Sequence, residues 1–533
     1  MYHQEQPTFQ LHALFNTIHF FEVYSVVDER GAAYFAGGLA YATGEPVVIS
    51  CTGATASRDY LPGLTEAFYR KLPVIALTSQ HHSPTHQDLV PQMTDRRVSQ
   101  NDVKLFSADL PLIHGKVGVK ACVQLVNEAL HIATSKGGGP VHINLPVGDA
   151  YGFTTEQLPD VRRIEVHDAE HFPAQMLSKK LQGKKVAIFI GSHRQFSPEL
   201  EEAMDQFVEN YDAAVFYDHT SSYHGKHGIM TSVAGDLLEL SNLPDVVIDM
   251  GSICGDYRAK RIYTGRPTWR ISEDGVFHNR KSAEKLMRVF DCSELLFFKK
   301  MSKYSAENNY YTTLMAELPA IKIPEMPLSN TYISSKLSKL VPENSFIHMA
   351  ILNSLRNMNF FEVGKTITTS SNVGGFGIDG ALSTTVGQSV ADRSRLAFCL
   401  IGDLAFFYDM NAIGIREIGN NFRVLLVNNG RGVEFRLNWN IEKQWGAESD
   451  ELIAAANHFG SAKGWVESMG FHYMTASSKE EFDEKMIEFC NEDVNHFGKP
   501  VVFEVFTEVD DEKAAVRALR MANKPSQQPE DGE

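Results

Sequence analysis

The sequence predicts an α/β protein of three domains, each with a parallel sheet flanked by helices. Short runs rich in β-branched and aromatic residues alternate with helix-like segments throughout: VYSVV, PVVIS, LPVIALT and VHINL, then KVAIFIG, AAVFYD and DVVIDMG, and finally SFIHMA, LAFCLIG, RVLLVNN and PVVFEVF. Such alternation is the signature of parallel α/β layers. Prolines and polar residues interrupt the pattern at 154–163 and 318–330. The expected domains are therefore 1–153, 164–317 and 331–510, with 511–533, ending KPSQQPEDGE, as a disordered tail.

The first and third blocks share an order of elements. GLAYATGEPVVISCTGATASRDYLPGLTEAFYRKLPVIALT and GQSVADRSRLAFCLIGDLAFFYDMNAIGIREIGNNFRVLLVNN each read helix, strand, small polar turn, helix, strand, as two copies of one fold would. The 533 residues are 43% hydrophobic and carry a formal charge of −16, enough apolar material for large cores. No basic run is long enough to track nucleic acid or an anionic membrane. No segment reaches the roughly 18 apolar residues of a membrane span. Six cysteines lie far apart, several inside apolar runs, which points to reduced thiols and a cytoplasmic setting.

The chemistry sits where strands end. Ligands of an open parallel sheet bind at the carboxyl ends of its strands. Asp403 follows LAFCLIG, and Asn428 and Asn429 follow RVLLV. A carboxylate, an amide oxygen and a carbonyl from the turn GRG make a hard-oxygen set suited to magnesium held against a diphosphate. Taken singly, Gly-Asp is commonly a helix cap and Asn-Asn-Gly a turn. Their joint placement favours the metal. A rival reading is a dinucleotide fingerprint, because Gly375, Gly377 and Gly380 satisfy G-x-G-x-x-G with Asp403 beyond. Against it, TITTSSN before the first glycine is polar rather than a buried strand, and Asn428 and Asn429 are left unexplained. Glu29, just beyond VYSVV and opening a helix, is placed for acid–base work or simply for a helix's first turn.

Together, VVDERGAAYFAGGLAYATGEPVVISCTGATA, SNVGGFGIDGALSTTVG, GDLAFFYDMN and LLVNNGRG resemble the thiamine diphosphate-dependent decarboxylases and carboligases over nearly the whole chain. The likeness is strongest to the branch serving menaquinone biosynthesis, with acetolactate synthases more distant. It implies the thiamine diphosphate-binding fold in the order pyrimidine-binding, central and diphosphate-binding domain, the central one without a cofactor. It also implies a strand-helix element ahead of TFQLHALF, which the first domain is expected to lack. Glu29 corresponds to the glutamate that hydrogen-bonds the aminopyrimidine ring. Asp403 and Asn429 correspond to the side-chain ligands of Mg2+, and Arg431 supplies the backbone ligand through its carbonyl. Thr52, Gly53, Ala54 and Thr55 match the turn lining the pyrimidine pocket, and Ile378 the apolar wedge that bends the cofactor. Gly375, Phe376, Gly377, Gly402, Leu404 and Asn411 complete the implied cofactor contacts.

The implied substrate site holds Gln92, an active-site glutamine of that branch, with Ser354, Lys260, Arg261 and Val373. Where the branch carries arginines for substrate carboxylates, this sequence has Val373 and Met358, and LTSQHHSP lacks a third. Valine and methionine cannot make bidentate guanidinium contacts. The resemblance thus implies an enzyme that decarboxylates a 2-oxo acid and joins the remainder to an acceptor carbonyl or alkene, with a small or weakly charged pair of substrates. A simple decarboxylase, or a silent cofactor-binding relative, is the alternative. It further implies a homodimer or homotetramer, since in the family Glu29 and Asp403 of one site come from different subunits.

Overall fold

The computed structural model describes residues 20–26, 29–53, 55–81, 100–147, 161–256, 259–275, 277, 285–437, 445, 446, 448 and 458–523. The chain forms two compact units. One is Met1–His167 with Asp274–His278 and Leu286–Asp291; the other comprises Asp168–Glu273, Asn279–Lys285 and Cys292–Glu533.

The first unit carries four parallel strands, β1 (Val47–Thr52), β2 (Val74–His81), β3 (Phe106–Asp109) and β4 (Val141–Val147), in the order β1-β2-β4-β3. It also takes in β5 (Glu165–Asp168) up to His167 and β11 (Lys285–Asp291) from Leu286. Alternate residues serve opposite faces. Ile49, Cys51, Val74 and Ala76 share a core with Ala33, Ala36, Leu64 and Ala67 of helices Glu29–Thr43 and Leu61–Tyr69. Ile75, Val141 and Ile143 meet Ala129 and Ala133 of helix Lys116–Thr134. Cover on both faces explains the unbroken apolar runs.

The two helices of the first face touch at Gly63. A Cβ there would stand 2.5 Å from the Ala33 Cβ and 2.9 Å from its carbonyl carbon. Backbone cannot move aside as a side chain can, so Gly63→Ala is expected to cost about 1–3 kcal/mol, read as a lower melting temperature. VYSVV departs from expectation. Its described residues form no strand and stay exposed, with Val23 at 50% and Tyr24 at 55%, because no strand of the sheet pairs with them.

In the second unit, β6 (Val186–Ile190), β7 (Ala214–Tyr217), β8 (Gly228–Met230), β9 (Val246–Met250) and β10 (Pro267–Ile271) run parallel in the order β10-β9-β6-β7-β8. The chain reverses direction across the sheet between β6 and β9, where such folds open a crevice. Here the loops are stitched together: Ser192 N donates to Ile253 O at 3.0 Å, and Ser252 N to Ser192 O at 2.8 Å.

A second sheet contains β12 (Phe346–Met349), β13 (Thr368–Ser370), β14 (Ala397–Gly402), β15 (Phe422–Asn428), β16 (His472–Ala476) and β17 (Val501–Phe506). Its order is β13-β12-β14-β15-β17-β16, all parallel. The chain lays β13 on one side of β12 and β14 on the other, so the switch point lies between β12 and β14. TITTSSN, expected to be polar rather than a buried strand, holds β13, a half-buried strand at the sheet's edge. A polar run suffices there because β13 is an edge strand with one neighbour. Helix Ala381–Ala391, β14, helix Asp403–Tyr408 and β15 repeat the order of helix Glu29–Thr43, β1, helix Leu61–Tyr69 and β2.

The segment from 511 is no tail as far as 523. It belongs to helix Val509–Asn523, whose Ala515 and Leu519 are fully buried at helical spacing. Arg520 binds Asp236 through Nε and Nη2 at 2.9–3.2 Å. The six cysteines are free thiols. Among the described residues, no helix is long and apolar enough to cross a membrane.

His348 of β12 is 1% exposed, with Nδ1 2.8 Å from Ser370 Oγ, and burial pushes its pKa down to about 4. The unfolded chain therefore binds this proton more readily, so stability is full above the ordinary histidine pKa and is lost as pH falls toward the folded value. From about pH 7.5 to about pH 5, His348 should cost about 2 kcal/mol. His348→Asn should lose correspondingly less on the same acid shift in thermal melts.

Candidate functional site

Gly402, in extended backbone, ends β14 at the switch point, and Asp403 opens the next helix. Asp403 is 3% exposed. Its Oδ1 accepts Leu404 N at 2.7 Å, and its Oδ2 accepts Gly430 N at 2.7 Å and His458 Nε2 at 3.0 Å. Burial raises its pKa against the pull of those donors. His458 Nδ1 accepts Gly460 N at 3.1 Å, so the ring proton sits on Nε2 and is given to Asp403. Phe407 holds the same ring edge to face at 5.3 Å.

The neighbouring strand β15 brings Asn428 and Asn429 to the same end of the sheet. The two differ in use. Asn428 is buried, giving its Nδ2 to Glu504 Oε1 at 2.8 Å and Gly460 O at 2.9 Å. Asn429 is half-buried, and nearby Glu512 is a buried carboxyl on helix Val509–Asn523 that accepts Asn330 N at 3.0–3.1 Å and Thr507 Oγ1 at 2.8 Å. Burial pushes the Glu512 pKa up to about 7, opposed by Thr507, the Asn330 backbone N–H and Asn429. Asn429 Oδ1 accepts Arg431 N at 3.4 Å. Gly430 turns the chain between them at φ +74°.

The glycine loop is pinned at both ends. Asn372 Nδ2 donates to Gly380 O at 3.3 Å and Thr384 Oγ1 at 3.0 Å, and Gly380 at φ +84° starts helix Ala381–Ala391. Between them Gly375 and Gly377 are exposed, while Phe376 (φ +56°) and Ile378 rest on the core. Asn411 is exposed on the turn Met410–Gly414 after the Asp403 helix.

In the first unit, Glu29 is the first residue of its helix, and its charge reaches the buried Tyr60 hydroxyl. Burial drives the Tyr60 pKa far up, with Cys51 beside it adding to the rise. Thr52 ends β1, Gly53 N donates to Ser79 O at 2.7 Å, and Thr55 O caps the short helix Ala56–Asp59. Ala54 and Gln92 lie outside the described residues.

The expected substrate positions do not converge on open space. Val373 is 3% exposed and Met358 fully buried, both in the apolar core, and a Cβ on Gly255 would touch Leu355 and Val373. Ser354 is 2% exposed. Lys260 and Arg261 are exposed on the short helix Lys260–Tyr263, with Arg261 Nη2 3.2 Å from Glu239 O.

Among the described residues, no three His, Cys, Asp or Glu side chains gather as a metal group. A set of one carboxylate, one amide and one carbonyl is a different one, and it fits a hard cation. Asp403 Oδ1 spends one of its two lone pairs on Leu404 N, and Asn429 Oδ1 spends one on the long bond from Arg431 N. His458 escaped the sequence reading: it lies 30 positions beyond Asn428 in no motif, and only the fold brings it to Asp403.

Residues 7–103 match the family model described as thiamine pyrophosphate enzyme, N-terminal TPP binding domain. The chain is 30% identical, over 91% of its length and 89% of the relative's, to 2-succinyl-5-enolpyruvyl-6-hydroxy-3-cyclohexene-1-carboxylate synthase of Bacteroides fragilis. The same enzyme of Phocaeicola vulgatus is 29% identical over 95% and 92%, and that of Flavobacterium psychrophilum 26% over 91% and 89%. With Asp403 at the switch point of a parallel sheet and Asn429 at the end of the neighbouring strand, the chain belongs to the thiamine diphosphate-dependent enzymes. Within that family it is most like the 2-succinyl-5-enolpyruvyl-6-hydroxy-3-cyclohexene-1-carboxylate synthases.

Proposed function

We propose that the protein is a cytoplasmic, Mg2+-dependent carboligase that decarboxylates a 2-oxo acid and joins the remainder to an acceptor. The observation that carries this reading is the pair of adjacent strand ends: Asp403 directly after β14, and Asn429 directly after β15. Asp403 Oδ1, Asn429 Oδ1 and the Arg431 carbonyl would hold Mg2+, and the Gly375–Ile378 turn would receive the diphosphate end. Bound thiamine diphosphate supplies the carbon nucleophile for a 2-oxo acid and a sink for the electron pair left when carbon dioxide departs. Glu29 holds the proton at the aminopyrimidine ring nitrogen, and Thr52, Gly53, Ala54 and Thr55 frame that ring. Residues 1–153, 164–317 and a third part running from 331 to 523 serve as pyrimidine-binding, central and diphosphate-binding parts. A homodimer or homotetramer, with Glu29 and Asp403 of one site from different subunits, is supported by bare aromatic side chains close in sequence to each: Tyr34 at 50% and Phe35 at 43%, and Tyr408 at 71%.

For the substrates we propose a small or weakly charged pair, such as pyruvate with an aldehyde or keto-sugar. Each lost charged hydrogen-bond partner costs about 1.5–3 kcal/mol. The branch the chain resembles carries arginines where this chain has Val373 and Met358, and both are buried apolar side chains, so neither position offers a polycarboxylate acceptor a charged partner. Carbon dioxide release from a panel of 2-oxo acids, with and without acceptors, tests this. Efficient isochorismate-dependent consumption of 2-oxoglutarate would overturn the substrate reading while leaving the cofactor reading intact. Release with no dependence on any acceptor would favour a simple decarboxylase.

A further inference from the structure

The second unit contains a cavity of about 170 Å3 beside helix Asn353–Met358. Asn353, Arg356 and Asn357 line it at the i, i+3, i+4 spacing of one face, and Phe360 joins them from the turn after the helix. Ser354 and Met358 lie about 130° round the helix from that face. The cavity is thus separate from the positions the family uses for substrate.

Its walls are unusual in backbone and in charge. One is the π-helical turn Val233–Leu237, a rare conformation that recurs at functional sites, which contributes Asp236. Leu352, directly before helix Asn353–Met358, is held at φ +67°, a strained angle for a branched side chain. Arg356 Nη1 meets both carboxylate oxygens of Glu434 at 2.5 Å, and Arg520 grips Asp236. Asp256 accepts from Ser232. Leu437 and Val516 join Phe360 as an apolar side.

These pairings restrict the ligand. An anion would face the carboxylates of Asp236, Asp256 and Glu434, and a cation the guanidiniums of Arg356 and Arg520. A molecule carrying both signs meets each with its opposite. By the same measure one water needs about 10–15 Å3, so the cavity has room for a ligand of several heavy atoms. We propose that this cavity binds a small α-amino acid zwitterion with a branched apolar side chain. Its carboxylate faces Arg356 and Arg520, its ammonium faces Asp236 and Asp256, and its side chain lies on Phe360, Leu437 and Val516. Nothing in this assignment depends on the thiamine diphosphate reading.

The full chain is titrated with leucine, with 4-methylpentanoate, which lacks the ammonium, and with 3-methylbutylamine, which lacks the carboxylate. Calorimetry and thermal melts read the result. Leucine should bind saturably and raise the melting temperature by about 2 °C, with each single-sign analogue at least about tenfold weaker. Val516→Trp and Leu437→Trp fill the cavity from its apolar side while leaving every charged side chain in place. Each should abolish leucine binding while keeping the wild-type circular dichroism and the thermal shift given by thiamine diphosphate with magnesium. Absence of leucine binding, equal binding of an analogue, or leucine binding that survives both substitutions would overturn the assignment.

Discussion

Asp403→Ala is expected to abolish the rise in melting temperature that thiamine diphosphate with magnesium gives the wild-type protein, and with it all turnover. A ligand that binds only the folded state at a hundredfold excess over Kd contributes about 2.7 kcal/mol, and that whole shift depends on the carboxylate ending β14. The substitution also strips Gly430 N and His458 Nε2 of their acceptor, so the variant starts from a lower melting temperature. The ligand-induced shift, not the absolute value, is the measurement. No shift in the wild type would sink the cofactor assignment, and a shift with NAD in its place would revive the dinucleotide reading of the glycine loop.

Glu29→Gln should behave differently. The amide keeps the helix start, so cofactor-dependent stabilisation persists, while turnover falls by about two to four orders of magnitude with the loss of proton transfer. A mixture of the two variants then reports on how the site is assembled. If Glu29 and Asp403 of one site come from different subunits, equal amounts of Glu29→Gln and Asp403→Ala chains, exchanged at random in a dimer, rebuild about a quarter of the sites. If both come from one chain, the mixture stays inactive.

The sequence revealed most where burial and chemistry coincide. Every predicted strand other than VYSVV is present, because a run covered on both faces has to be apolar. Asp403 and Asn429 were legible because a polar residue directly after such a run lies at a strand's carboxyl end. Strand β13 was not, since an edge strand with one neighbour imposes no apolar pattern. His458 gave no signal, as a lone histidine acquires its partner only through tertiary folding. Val373 and Met358 were placed in a substrate site by resemblance, and both are sealed in the core. Helix Val509–Asn523 hid behind its charged first turn, Asp510, Asp511 and Glu512, which reads like a solvated tail until the spacing of Ala515 and Leu519 is counted.

That last helix bears on how the protein is made. Glu512 accepts the backbone N–H of Asn330, 182 positions earlier, and Arg520 reaches back 284 positions to Asp236. At about 5–20 residues per second, Asn330 leaves the ribosome's catalytic centre about 9–36 s before Glu512 is added. Through that interval the nascent second unit can assemble β12, β14 and β15, yet helix Asn330–Leu340 lacks the carboxylate that receives its first N–H. Folding of this half therefore runs against the direction of synthesis, a later-made helix returning to tie down earlier-made parts.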